Sequence, residues 1–103
     1  MSAPEHVRHE WEESARRLEA AAGDRARYHE LLDQVETVTT ELRKRVGQTY
    51  TLAGLARAYL DAERWAAEAL AESPAAESWP RMLSTVVGAS FQRYARGATD
   101  YSP

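Results

Sequence analysis

Residues 18–32 read LEAAAGDRARYHELL, and the fold turns on Gly23-Asp24 at the centre of that stretch. A glycine directly after a helical run is a common stop, and aspartate is a favoured N-cap for a following helix. Upstream, Val7, Trp11, Ala15, Leu18 and Ala22 recur at spacings of three and four, the period of one helical face. Downstream, Tyr28, Leu31, Leu32, Val35, Val38, Leu42 and Val46 do the same. Arg43, Lys44 and Arg45 follow in a last turn, where cations complement the helix dipole, and Gly47 comes next. A break at Gly23-Asp24 therefore predicts two helices, 5–22 and 25–46. The alternative reads through it. Val7, Trp11, Ser14, Leu18, Ala21, Arg25, Tyr28, Leu32, Val35, Thr39, Leu42 and Val46 keep one heptad phase, and a mid-helix glycine costs only about 1 kcal/mol. That would give one long N-terminal helix plus two shorter helices, paired as a coiled-coil dimer. Ser14, Arg25 and Thr39 are poor seam residues, however, and the helix would reach roughly 63 Å and outrun its neighbours. The break is the favoured reading.

Working outward, a third helix is expected from Thr49 or Thr51 to about residue 72, with Leu52, Leu55, Ala56, Tyr59, Ala62, Ala66 and Leu70 facing inward. After SPAAES a fourth begins, with Ser78 as N-cap and Pro80 in its first turn. Its face is Met82 or Leu83, Val86, Val87, Ser90 and Tyr94, and Gly97 closes it. Four helices of similar length with short connections predict an all-α fold, a small antiparallel four-helix bundle. The chain reads as one helical domain, 1–103, with mobile ends at 1–4 and 98–103. The expected core gathers Leu32, Val35, Leu55, Tyr59, Val87 and Tyr94, each mid-stripe on its helix.

Composition narrows the classes. With 44% hydrophobic and 28% charged residues over 103 positions, the chain has the make-up of a globular domain. No apolar run approaches a membrane span, and MSAPEHVRHEWEE is too polar for a signal peptide, so a cytoplasmic location is expected, with no membrane partner. The absence of cysteine excludes disulfides, thiolate catalysis and thiolate-ligated metals. A net charge of −3 opposes broad nucleic-acid binding. Its basic residues are twelve Arg and one Lys, beside many Ala, a balance typical of GC-rich bacterial genomes.

Catalytic signals are weak. His6 and His9 stand three apart beside Glu5 and Glu10, but no third metal ligand is in view. His29 sits on a polar face. The Glu-x-x-His pairs of di-iron bundles, a Gly-rich phosphate loop and a nucleophile elbow are all missing, so no catalytic residue, metal or cofactor is assigned. Gly88, between Val87 and Ala89, costs helix propensity and points to a close helix–helix approach. YTLAGLARAYLDAERWA, residues 50–66, resembles the first helix of a helix-turn-helix in its Leu-Ala-x-Leu-Ala phrase. Leu60 stands where that motif carries its turn glycine.

The aromatics carry the functional expectation. Trp11, Trp65 and Trp79 are three tryptophans in a short chain, and Trp65 and Phe91 fall to one side of their helices' central stripes. Side chains so displaced suit an interface, where Trp and Tyr dominate binding energy. The expected protein is a non-enzymatic helical interaction module, self-associating as a homodimer or acting as a small adaptor, with Trp65, Phe91, Trp11 and Trp79 at the contact. The alternative is a small transcriptional regulator meeting DNA through Arg43, Lys44, Arg45 and Arg57.

Overall fold

The computed structural model describes residues 4–72 and 79–101. Helix α1 (Pro4–Ala22) and helix α2 (Arg25–Val46) are separate, as the Gly-Asp pair predicts. Gly23 takes φ +75°, a left-handed conformation that ends α1 at little cost for glycine alone. The Asp24 side chain then accepts from Arg27 N–H at 2.8 Å and caps α2. Gly47, with φ +101°, stops α2 and donates its N–H to the Arg43 carbonyl at 2.8 Å.

The expected third helix is two. Helix α3 (Leu52–Tyr59) starts on the Thr51 cap, whose hydroxyl accepts from Gly54 N–H, and ends at a turn through Leu60-Asp61. Helix α4 (Ala62–Ala71) follows. Within the turn Leu60 N–H reaches the Arg57 carbonyl and Arg64 N–H reaches that of Asp61, both at 3.2 Å, three residues back rather than four. Leu52 and Leu55 point inward before the turn, and Ala62, Trp65, Ala66 and Leu70 do so after it, whereas Leu60 is 83% exposed. Helix α5 (Trp79–Gly97) closes the helical set. The expected cap Ser78 lies outside the described residues.

The fold is all-α, and α5 is its axis. It packs on α1, α2 and α4, and Val86, Val87, Gly88, Ala89, Ser90, Phe91 and Tyr94 are buried in near-continuous sequence. Helix α1 runs antiparallel to α5, with Ser14 against Gly88 and Trp11 against Phe91. At the first of these crossings a Cβ on Gly88 would stand 2.5 Å from Ser14 Cβ and nearer still to its hydroxyl. The close approach read from the sequence is present.

Helices α2 and α5 run in the same direction. Ser90 Oγ donates to the Val35 carbonyl at 3.3 Å, Arg93 meets Glu36 at 3.2 Å, and Tyr94 Oη donates to the Gly47 carbonyl at 2.7 Å. The segments leaving these helices are consequently parallel. They form a two-residue ladder between strand β1 (Thr49–Tyr50) and strand β2 (Thr99–Asp100). Thr99 N–H bonds the Gln48 carbonyl at 3.1 Å and Tyr101 N–H bonds that of Tyr50 at 2.7 Å. Within the end expected to be mobile, the backbone of 99–101 is thus hydrogen-bonded into the fold.

The core holds Val35, Leu55, Val87 and Tyr94 as expected. Leu32 and Tyr59 are only half-buried. The buried stripe of α2 is Leu31, Gln34, Val35, Val38, Thr39 and Leu42, which turns Leu32 toward the edge of the α5 contact.

Candidate protein-binding groove

Of the four aromatics expected at a contact, three lie inside the monomer. Trp11 and Phe91 are fully buried and Trp65 is 6% exposed. Phe91 is the hub. Its ring centroid lies 5.3 Å from Trp11, 5.1 Å from Tyr59 and 6.3 Å from Trp65. The expectation that displaced aromatics stay partly exposed is corrected on two physical grounds. A helix wrapped on three sides has no single inward stripe, so Phe91 needs no central position. Trp65 reaches the Phe91 ring from beside its stripe, and the Arg45 guanidinium lies 4.9 Å over its own ring. The Trp79 side chain lies outside the described residues.

Tyr59 closes the cluster at its edge, T-shaped against Trp11 at 5.6 Å, with its hydroxyl donating to Glu10 Oε1 at 3.1 Å. Burial, and next the Glu10 carboxylate, push the Tyr59 phenol up to about 12.

The basic residues expected to act together are separated by helix geometry. Arg43 lies on one side of α2, whereas Lys44 and Arg45 line the groove between α2 and α4. That groove, about 520 Å³, also carries Glu36, Glu41, Glu68 and Glu72, and Arg45 Nε is 3.4 Å from Glu41. Arg57 is exposed on α3, away from both grooves. Among the described residues, no group of three or more His, Cys, Asp or Glu could hold a metal ion. No described helix is long and apolar enough to cross a membrane.

A second groove, about 470 Å³, runs along α5 between α1 and α2. Its apolar wall includes Leu18, Val35 and Ala89, with Tyr28 and Leu32 half-exposed beside them. Three arginines rim it: Arg43 from α2, and Arg93 and Arg96 from α5. Arg93 pairs with Glu36 at 3.2 Å, while Arg43 and Arg96 have no carboxylate partner among the described residues. Sequence reading missed this site, although part of its signal was present. Ala89, Arg93 and Arg96 recur at helical spacing along one face of α5. Arg43 joins them only because α2 and α5 run side by side.

A smaller cleft of about 210 Å³ shares Gln92 and Arg96 with the groove and is lined further by Arg8, Trp11, Glu12 and Tyr50. Tyr50 Oη donates to the Ala95 carbonyl at 3.0 Å. Burial first, and Asp100 second, raise the Tyr50 phenol above its ordinary value, against the pull of Arg8. Arg8 meets Asp100 at 3.0 Å through a terminal nitrogen. The chain matches no protein-family model, no curated protein and no solved structure.

Proposed function

We propose that the protein is a non-enzymatic interaction module whose groove along α5 binds an acidic, amphipathic segment of a partner protein. One observation carries the reading. An apolar floor is rimmed by three arginines, two of them without a carboxylate partner among the described residues, in a chain whose net charge is −3. Positive charge concentrated against the overall balance steers and selects a partner of opposite sign. Half-exposed Tyr28 and Leu32 supply apolar contact beside it. A two-fold homodimer closed through this groove would set the arginines against one another, so a partner of opposite charge suits the site better than a second copy. Binding of a designed Leu/Glu-rich amphipathic helix tests this. The expected result is affinity that falls with salt and drops about tenfold or more, roughly 1.4 kcal/mol, in Arg43→Glu with Arg96→Glu. Equal binding of a Leu/Lys helix, or indifference to the charge reversal, would refute the reading.

The DNA-binding alternative gains one observation, the turn at Leu60-Asp61 where a helix-turn-helix would have its own. Charge opposes it. Helix α4, in the position of a reading helix, exposes Glu63 and Glu68 against Arg64, with Glu72 directly after its end. Carboxylates there would meet phosphate. Salt-dependent binding to random duplex DNA at physiological ionic strength would reinstate it.

A further inference from the structure

Charge is divided unevenly among the helices. Helix α5 carries Arg81, Arg93 and Arg96 and no carboxylate, and α3 carries Arg57 alone, whereas α1 and α2 mix the two signs. Helix α4 is the acidic one. It exposes Glu63 and Glu68, with Glu72 directly after its end, and its single cation, Arg64, is 3.8 Å from Asp61. None of the three glutamates has an ion-pair partner among the described residues. Beside them stand half-buried Ala67 and exposed Ala71, four residues apart on one side of the helix. Side chains this short let α4 lie close against an apolar surface while its longer glutamates reach past the contact. The groove along α5 has the converse character, an apolar floor under an arginine rim, and it has the length. The ten residues of α4 make about 15 Å of helix, and Leu32 to Arg43, along the α2 wall of the groove, make about 17 Å. The α5 groove and the α2–α4 groove share no residue, so one molecule presents both surfaces at once.

We infer that a second copy of this chain supplies the acidic segment: the exposed face of α4 seats in the α5 groove of the next molecule, with Ala67 and Ala71 against the floor and Glu68 and Glu72 toward Arg43 and Arg96. The inference rests on the groove reading above and names its partner. The clash of arginine with arginine belongs to a two-fold contact alone. Here unlike surfaces meet, so each molecule in a pair still offers one groove and one α4, and open chains grow with concentration. One helix face in one groove is a small contact, of the weak and transient class. Association is therefore expected at about 0.1–1 mM, and it weakens as salt screens the exposed charges.

Sedimentation velocity of the full chain over a concentration series, at low and at high salt, is the test. The parent is expected to grow in mass with concentration at low salt and to remain a monomer at high salt. Reversing either surface, by Glu68→Lys with Glu72→Lys on α4 or Arg43→Glu with Arg96→Glu in the groove, is expected to weaken association about tenfold or more. All four positions are exposed, so each variant should melt as the parent does. Combined in one chain, the four changes exchange the charges of the two surfaces, and association is expected to return. A parent that stays monomeric to about 1 mM at low salt overturns the inference. So does association that survives either reversal, or that fails to return in the combined variant. The groove reading fails separately: a monomeric parent that binds the designed Leu/Glu helix sinks the second copy alone, and one that neither associates nor binds that helix sinks both.

Discussion

Gly88→Ala is the sharpest test of the packing, because two effects of known sign oppose each other there. Alanine improves intrinsic helix propensity by about 1 kcal/mol over glycine, so an unconstrained site would become more stable. The structure reverses that. The new methyl would lie 2.5 Å from Ser14 Cβ, whereas carbon atoms in contact settle at about 3.5–4.0 Å. Relief requires α1 and α5 to part by roughly 1 Å at the most extensive helix pair in the fold. The Trp11–Phe91 contact, 5.3 Å between ring centroids, sits one turn away and would loosen with them. Overpacking of this kind costs about 1–3 kcal/mol. Taking the upper end and subtracting the propensity gain leaves a net loss of about 2 kcal/mol, or roughly 8–16 °C in Tm for a domain of this size. Thermal melting followed by circular dichroism measures it. Adding Ser14→Gly removes the opposing atoms, so the double variant should recover most of the loss, with a coupling energy of about 2 kcal/mol. If Gly88→Ala melted above the parent, propensity would have won and the close approach would be wrong.

Two further outcomes follow from the interior. Gln34 is 2% exposed and neither of its amide atoms has a hydrogen-bond partner among the described residues, so Gln34→Leu should raise stability by about 1–3 kcal/mol in denaturant titration; a lower stability would mean the amide is satisfied. For Tyr59, held up to about 12 in the fold against 10.0 for a free phenol, the sign is fixed: the folded state keeps its proton longer than the unfolded state. The stability this linkage contributes is complete below pH 10.0 and is lost as pH rises from there toward 12. Burial raises the Tyr50 and Tyr94 phenols as well, so ultraviolet titration should show several late phenols, of which the one near 12 is absent from Tyr59→Phe and moves only part of the way down in Glu10→Gln, because burial is the larger cause. A transition near 12 that survives unchanged in Tyr59→Phe would assign it to another tyrosine.

Local chemistry carried the helix ends and failed where neighbours decide. Gly23-Asp24 acts through one φ angle and one side-chain bond, both confined to adjacent residues, so its effect was legible without the rest of the chain. Gly47, Thr51 and Gly97 mark boundaries for the same reason. The turn at Leu60-Asp61 has no such signature. Neither glycine nor proline stands there, and the run from Leu52 to Ala71 reads as continuous helix. What the sequence does not show is tertiary: Trp65, which falls beside the stripe of Leu52, Leu55, Ala62 and Ala66, is buried after the turn against Phe91 of α5.

The same limit explains why the site had to be found in three dimensions. Arg43, Lys44 and Arg45 are consecutive, and in sequence they form one cationic cluster. At about 100° per residue around the axis, however, neighbours on a helix face different ways. Arg43 turns to α5, where it joins Arg93 and Arg96; Arg45 turns to α4, where Trp65 and Glu41 engage it. One stretch of α2 thereby separates an arginine-rimmed groove from a carboxylate-rich one. The aromatics reverse in the opposite sense. Trp11 reads as a surface anchor by composition, yet its ring fills the core between Tyr59 and Phe91.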